Sequence, residues 1–352
     1  MHTVRIPASR SYDVQIGAGL LPRCGEMTAA LVTGRRAVIV SDDHVYPLHG
    51  AIAENSLKNV GFSVDSFVFP AGERSKNAQT YLALLSFLME KKLTRSDVLL
   101  TLGGGVVGDL GGFAAATYLR GIACVQIPTS LLAMVDSSVG GKTAIDFGGM
   151  KNAVGCFYPP RLVLCDTDLL STLPDHEYKN GFAEIVKYAM LFSEPFFSEL
   201  EQSSDHRQLS RIIETCITMK RDLVAQDERD LGVRRLLNFG HTFGHAIEEA
   251  SDGRISHGTA VAEGMRLVTA AAAAAGLCDA TVCTRLCALL KNTCNPCDTV
   301  FTDETLCRLA VGDKKAGNDS ISLIVPRAIG RCEIQNMPFS QLLDFLKAGA
   351  EL

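Results

Sequence analysis

Through the first half of the chain, short runs of β-branched and apolar residues alternate with amphipathic stretches. Residues 4–7, 14–17, 37–41, 64–69, 98–102 and 123–127 have the composition and length of strands, and 77–91 repeats Leu and Phe at helical spacing. After about Thr167 the texture changes. Residues 177–191, 209–225, 234–250, 259–276 and 281–290 all carry the helical period, and a strand-like pair at 320–325 and 331–335 precedes a last helix at 340–346. The pattern predicts an α/β N-terminal domain with a mostly parallel sheet, residues 1–167, followed by a mainly α-helical C-terminal domain, residues 168–352. With no repeat, low-complexity tract or long linker between them, the two are expected to pack closely around a cleft.

Composition narrows the function. The 352 residues carry a net charge of -5, and no long basic block appears, which argues against a nucleic-acid or acidic-membrane binder and for a small-molecule partner. Residues 1–6 lack the apolar core of a signal peptide, and the longest apolar tract, around 270–275, is too short to span a bilayer. A cytoplasmic protein is expected. Six of the twelve cysteines, Cys278, Cys283, Cys287, Cys294, Cys297 and Cys307, fall in one stretch that includes a CxxC. The first three have helical spacing among Ala and Leu, and the CxxC lacks a second knuckle, so buried free thiols are favoured over a structural zinc.

Three groups of residues carry candidate chemistry. The first is a glycine turn. The strand at 98–102 runs into Gly103-Gly104-Gly105-Val106-Val107-Gly108-Asp109, with helix expected from Leu110 to Tyr118. Glycines and the free N–H groups of a following helix suit a diphosphate, although the same sequence also suits a tight βα turn. No acidic residue stands about 20 positions downstream to hold a ribose, so that role passes to the upstream candidates Asp42, Glu73 and Lys76.

The second group is His241 and His245, four apart on one helix face, with His257 following. Three histidines so close suit a divalent metal, and Glu184 could supply the anionic ligand. The third is a set of polar loops, 135–143 and 149–152. Gly140-Gly141-Lys142-Thr143 is not a Walker A motif, because Asp136 stands where the first glycine is required. A phosphorylated, carboxylated ligand needs several cations at one place, and Lys142, Lys151, Lys187, Lys220, Arg234, Lys314 and Lys315 are the candidates.

Taken together with Asp227-Glu228-Arg229, Asn238-Phe239-Gly240-His241 and Asp313-Lys314-Lys315, these motifs closely resemble the 3-dehydroquinate synthase family, in order from about Asp42 to Ile334. The resemblance implies NAD, zinc or another divalent ion such as cobalt, a sugar-phosphate substrate and a homodimer. Zinc would be held by Glu184, His241 and His257, with His245 close by but not a ligand. NAD would rest on Gly103, Gly104, Gly105 and Asp109, with Asp42, Glu73 and Lys76 toward the adenosine, Thr129 and Ser130 near the diphosphate, and Lys142 and Lys151 alongside. Substrate would meet Asp136, Lys142, Lys187, Lys220, Arg234, Asn238 and His245. Lys151, Asn152 and one of Lys314 or Lys315 would face its phosphate, together with an Arg120 inserted from the neighbouring subunit.

The implied reaction is transient oxidation by NAD, loss of phosphate, reduction and ring closure, so that NAD is recycled and the enzyme is a phosphate-lyase of the shikimate pathway. Two departures stand out: Thr129-Ser130 replaces the commoner Thr-Thr, and His257-Gly258-Thr259 replaces His-Gly-Glu. Rival readings are a valiolone-type or scyllo-inosose-type cyclase, a metal-dependent polyol dehydrogenase and a non-enzymatic binding protein. Lys220, Arg234 and Asn238 match the carboxylate-binding pattern and favour the first assignment.

Overall fold

The strand Val98–Gly103 is buried at every position, as its unbroken apolar run requires of a strand covered on both faces. The computed structural model describes residues 1–202, 208–312 and 319–351, and the chain divides into two units, Met1–Pro174 with Gln208–Arg229, and Asp175–Arg207 with Asp230–Leu352.

The first unit contains β1 (His2–Ile6), β2 (Tyr12–Gly17), α1 (Cys24–Ala29), β3 (Arg36–Asp42), α2 (Tyr46–Asn59), β4 (Ser63–Phe69), α3 (Ala78–Glu90), β5 (Val98–Gly103), α4 (Gly105–Thr117) and β6 (Ala123–Pro128). A hairpin of β7 (Lys142–Phe147) and β8 (Met150–Phe157) precedes β9 (Leu162–Asp166). Seven strands form one sheet in the order β1-β2-β9-β6-β5-β3-β4. All neighbours are parallel except β1 and β2. From β3 the chain moves outward to β4 and then returns to the other side of β3 as β5. The sheet therefore reverses its winding between β3 and β5, where open α/β sheets leave a crevice beyond the carboxyl ends. Val38, Val40 and Leu99 pack there against Val107, Leu110 and Phe113 of α4. The helix lies unusually close: a Cβ on Gly111 would stand 2.5 Å from the Thr101 methyl.

The second unit contains α5 (Asp175–Phe192), α6 (Glu194–Gln202), a 3₁₀ turn (Val233–Asn238), α8 (His241–Ala250), α9 (His257–Ala274), α10 (Ala280–Thr293), α11 (Asp303–Gly312), the antiparallel pair β10 (Ser320–Ala328) and β11 (Arg331–Pro338), and α12 (Phe339–Ala348). Helix α9 is its centre, packed by α5, α8 and α10.

Several elements differ from expectation. Helix α4 begins at Gly105 rather than Leu110, so the glycine turn forms its first turn. The polar stretches around Lys142 and Lys151 form the strands of the β7–β8 hairpin instead of loops, and β9, unforeseen, pairs with β2 and β6. The helix expected over 234–250 is split at Gly240, whose φ of 78° is left-handed. Helix α7 (Leu209–Gln226), expected with the helical half, belongs to the first unit and packs on β1 and β2. The twelve cysteines are free thiols; of the three expected to be buried at helical spacing, Cys283 is buried while Cys278 and Cys287 are half-buried. Burial pushes Cys307 up to about 11 and Cys294 up to about 12.

Candidate functional site

In the second unit, the middle of α5 is buried from Asn180 to Leu191, which carries two charged side chains into the interior. Glu184 and Lys187 are each 1% exposed and form an ion pair one turn apart. Two imidazoles close on the same carboxylate. His241 Nε2 is 3.6 Å and His257 Nε2 3.5 Å from Glu184 Oε1. Each histidine is the first residue of its helix, α8 or α9, and is placed by what precedes it. The left-handed Gly240 turns the chain into α8, and the amide of Gly258 donates to Asn180 Oδ1 at the start of α9.

Both rings are also held from behind. His241 Nδ1 is 3.1 Å from the Phe239 carbonyl, and His257 Nδ1 is 3.4 Å from Glu248 Oε2. The Nε2 atoms are thereby the ones turned toward Glu184, and donor atoms of Glu184, His241 and His257 lie within 4.8 Å of one another. Burial and the Lys187 ammonium lower His241 to about 3, so its imidazole is neutral. Burial acts the same way on His257, but hydrogen bonds to Glu184 and Glu248 outweigh it and raise that ring to about 9. His245 is exposed, its ring 5.5 Å from His241 and 6.2 Å from His257. Glu248 was not anticipated. It stands seven positions after His241 on the same helix, a spacing that places it on the same face. Arg234 is buried in the 3₁₀ turn before α8, whereas Asn238 at its end is exposed. Lys314 and Lys315 lie outside the described residues.

In the first unit, the glycine turn borders a small pocket lined by Gly103, Gly104, Gly105, Asp109, Ser137 and Ser138. Thr129 donates its amide to Gly103, and a Cβ on Gly105 would stand 3.2 Å from Ser137 Oγ. A side chain there would require the Ser137 hydroxyl to move aside. A Cβ on Gly104 would lie 3.5 Å from Ser130 Oγ. Asp109 pairs with the buried Lys76 at 2.8 Å, and Glu73 reaches the same ammonium at 3.4 Å. Asp42, at the end of β3, accepts from the amides of His44 and Val45, which fixes the chain entering α2.

Asp136 sits in a wide π-type turn, Ala133–Ser137, and Lys220 of α7 donates to its carbonyl at 2.6 Å as well as pairing with its carboxylate. Lys142 and Lys151 are exposed on the hairpin. Asn152, with φ of 53°, donates its amide to Asp146, whose own amide donates to the Lys76 carbonyl. Arg120 is exposed at the end of a 3₁₀ turn, with φ of 64°.

The family model described as 3-dehydroquinate synthase N-terminal matches residues 66–180, and the one described as 3-dehydroquinate synthase C-terminal matches 181–316. The chain belongs to the 3-dehydroquinate synthase family. A 3-dehydroquinate synthase of Pelobacter propionicus is 42% identical over 95% of both chains, and one of Enterococcus faecalis 41% identical over 98% of both.

Among solved structures, a 2-deoxy-scyllo-inosose synthase complexed with carbaglucose-6-phosphate, NAD+ and Co2+ superposes with a TM-score of 0.87 at 25% identity, over 98% of this chain and 99% of its own. A 2-epi-5-epi-valiolone synthase of Streptomyces hygroscopicus with NAD+ and Zn2+ bound gives 0.87 at 28% identity, over 99% of each. A glycerol dehydrogenase of Schizosaccharomyces pombe, TM-score 0.64 at 17% identity over 96% of this chain and 88% of its own, shares the fold. No described helix is long and apolar enough to cross a membrane.

Proposed function

We propose that this 3-dehydroquinate synthase family member converts 3-deoxy-D-arabino-heptulosonate 7-phosphate to 3-dehydroquinate and phosphate, as a carbon–oxygen lyase of the shikimate pathway acting in the cytoplasm as a homodimer. The observation that carries the reading is the convergence of two imidazole Nε2 atoms on the buried Glu184 carboxylate. One carboxylate and two imidazoles, oriented from behind, are the donor set of a catalytic zinc with an open position, His241 already neutral and His257 giving up its proton when a cation binds. The site fits a divalent cation, zinc or cobalt. The glycine turn at the reversal of the sheet, closely approached at Gly105 by the Ser137 hydroxyl, fits a dinucleotide. In this reading Glu184, His241 and His257 hold the metal. Gly103, Gly104, Gly105, Asp109, Thr129 and Ser130 hold NAD, with Asp42, Glu73 and Lys76 on its adenosine side and Lys142 and Lys151 beside it.

When bound, NAD supplies a reversible hydride acceptor and the metal a Lewis acid for the substrate's alcohol oxygens. The chain's own residues do the rest. Lys187, fixed against Glu184, keeps a positive charge beside the reacting oxygens, and His245 offers an exposed imidazole for proton transfer. Lys220, Arg234 and Asn238 supply donors for the substrate carboxylate, and Asp136 fixes the Lys220 ammonium. Lys151, Asn152, Lys314, Lys315 and Arg120 of the neighbouring subunit serve the phosphate.

The decisive experiment is phosphate release from the heptulosonate phosphate with catalytic NAD, with and without a chelator. Chelator-sensitive release with no net NADH is expected. A protein that releases no phosphate while loaded with metal would be taken instead to sedoheptulose 7-phosphate and glucose 6-phosphate, and net NADH from a polyol would identify a dehydrogenase. Identities near 40% to 3-dehydroquinate synthases, against 25–28% to the other cyclases, favour the first outcome.

A further inference from the structure

At the opposite end of the first unit's sheet lies a second pocket. It opens where β5 and β6 begin, around Ser96 and Ala123, whereas the glycine turn follows the far end of β5. Its cavity of about 270 Å³ is near the lower size of small-molecule sites. Arg10, Arg95 and Arg161 line it, with Leu31, Ile122 and Tyr158 between them, and no carboxylate is part of the lining.

None of the three guanidinium groups has an ion-pair partner among the described residues. That is unexpected in a chain with 39 acidic and 34 basic residues. Two carboxylates that adjoin the lining, one following Ser96 and one bound to Ser9, are engaged with other groups. Asp97 accepts from the amides of Arg36 and Thr94, and Glu228 from the amide and hydroxyl of Ser9. Two of the arginines are also held in place. Arg95 Nε donates to the Leu119 carbonyl at 2.9 Å, which leaves the other edge of its guanidinium to a ligand. Arg10 lies 5.9 Å over the Tyr158 ring, and the Tyr158 hydroxyl donates to the Ile122 carbonyl at 2.6 Å. A guanidinium fork fixed in this way is suited to carboxylate or phosphate oxygens.

We propose that this pocket binds a small organic dianion, a phosphate monoester or a dicarboxylate, whose apolar body rests on Leu31 and Ile122 and whose oxyanions meet Arg10, Arg95 and Arg161. Its occupant would also bear on the neighbouring turn. Arg95 anchors the carbonyl of Leu119, and Leu119 and Arg120 both have left-handed backbone, with φ of 50° and 64°. Binding of a dianion here does not rest on the reaction assigned above, although the turn it touches carries Arg120.

Calorimetry on the full-length protein at low salt tests it, with phenyl phosphate and benzene-1,3-dicarboxylate as the two organic dianions and inorganic phosphate and phenol as controls. At least one dianion is expected to bind, phosphate more weakly and phenol not at all, with affinity falling as salt rises. Arg10→Gln and Arg161→Gln, both at exposed positions, should each weaken binding by roughly tenfold while keeping the native circular dichroism. Lys151→Ala should leave it unchanged. Which dianion binds separates a phosphate from a carboxylate site. The proposal is overturned if neither binds, if both arginine variants bind like the parent, or if Lys151→Ala abolishes the heat. It is equally overturned if sedimentation shows the arginine variants dissociating an assembly that binds neither dianion, since the pocket is then a contact between copies.

Discussion

His241 and His257 each stand at the first position of a helix, where the positive end of the peptide dipole disfavours an imidazolium; at His241 this adds to burial and keeps the ring neutral, whereas at His257 the carboxylates of Glu184 and Glu248 outweigh it. His241→Ala is expected to abolish tight zinc binding, measured by competition with a chromogenic chelator, while the circular dichroism stays native. Glu248 contacts the rear nitrogen of His257, so Glu248→Gln should weaken zinc affinity by about 10- to 100-fold, with activity recovering at raised zinc. Unchanged affinity would show that the contact does not orient the ring. The pair Lys76–Asp109 answers a different question. Lys76 is 5% exposed, and removing its charge strands a carboxylate that burial already holds above the usual range. Lys76→Met should cost about 2–4 kcal/mol in urea unfolding, and Asp109→Leu added to it should recover part of the loss.

Turns set the position of the chemistry at the scale of elements. A Cβ on Gly240 would come within 2.5 Å of Met265 and 2.7 Å of the Val261 carbonyl, at a φ only glycine adopts easily. Gly240→Ala should therefore destabilise the second unit by about 2–4 kcal/mol and loosen zinc through His241. The first turn of α4 plays the corresponding part in the first unit. Gly105→Val should remove NAD binding, read by nicotinamide fluorescence, without loss of the sheet, because its side chain would enter the approach beside Ser137. Helices α3, α5, α7, α9, α10 and α12 and the central strands were legible from periodicity because each buries a stripe or both faces, whereas α1, α2, α6 and α11 were not foreseen. The β7–β8 hairpin was not legible either, since β8 is exposed nearly throughout and β7 buries only Thr143 and Ile145 between a lysine and an aspartate, too short a run to stand out as a strand.

For the whole molecule, ligand and stability are linked. A cation held between α5, α8 and α9 binds the folded second unit and not the unfolded chain, so a zinc concentration 100 times its dissociation constant should add about 2.7 kcal/mol to stability, lost on chelation and regained with zinc. A melting temperature indifferent to chelator would argue against the metal reading.

The sequence alone was enough for the alternation of elements, the change of texture near Thr167, the glycine turn and the histidine cluster, because these are contiguous patterns whose spacing is itself the signal. It was also enough for the family, since the motifs are long and ordered. Packing settled the rest. That α7 joins the first unit and brings Lys220 to Asp136, that Nε2 rather than Nδ1 of each histidine turns to Glu184, that Glu248 stands behind His257, and that Arg10, Arg95 and Arg161 share one pocket all depend on side chains from separate elements meeting in space. No local period encodes such a meeting, because it is fixed by which faces of distant elements bury one another.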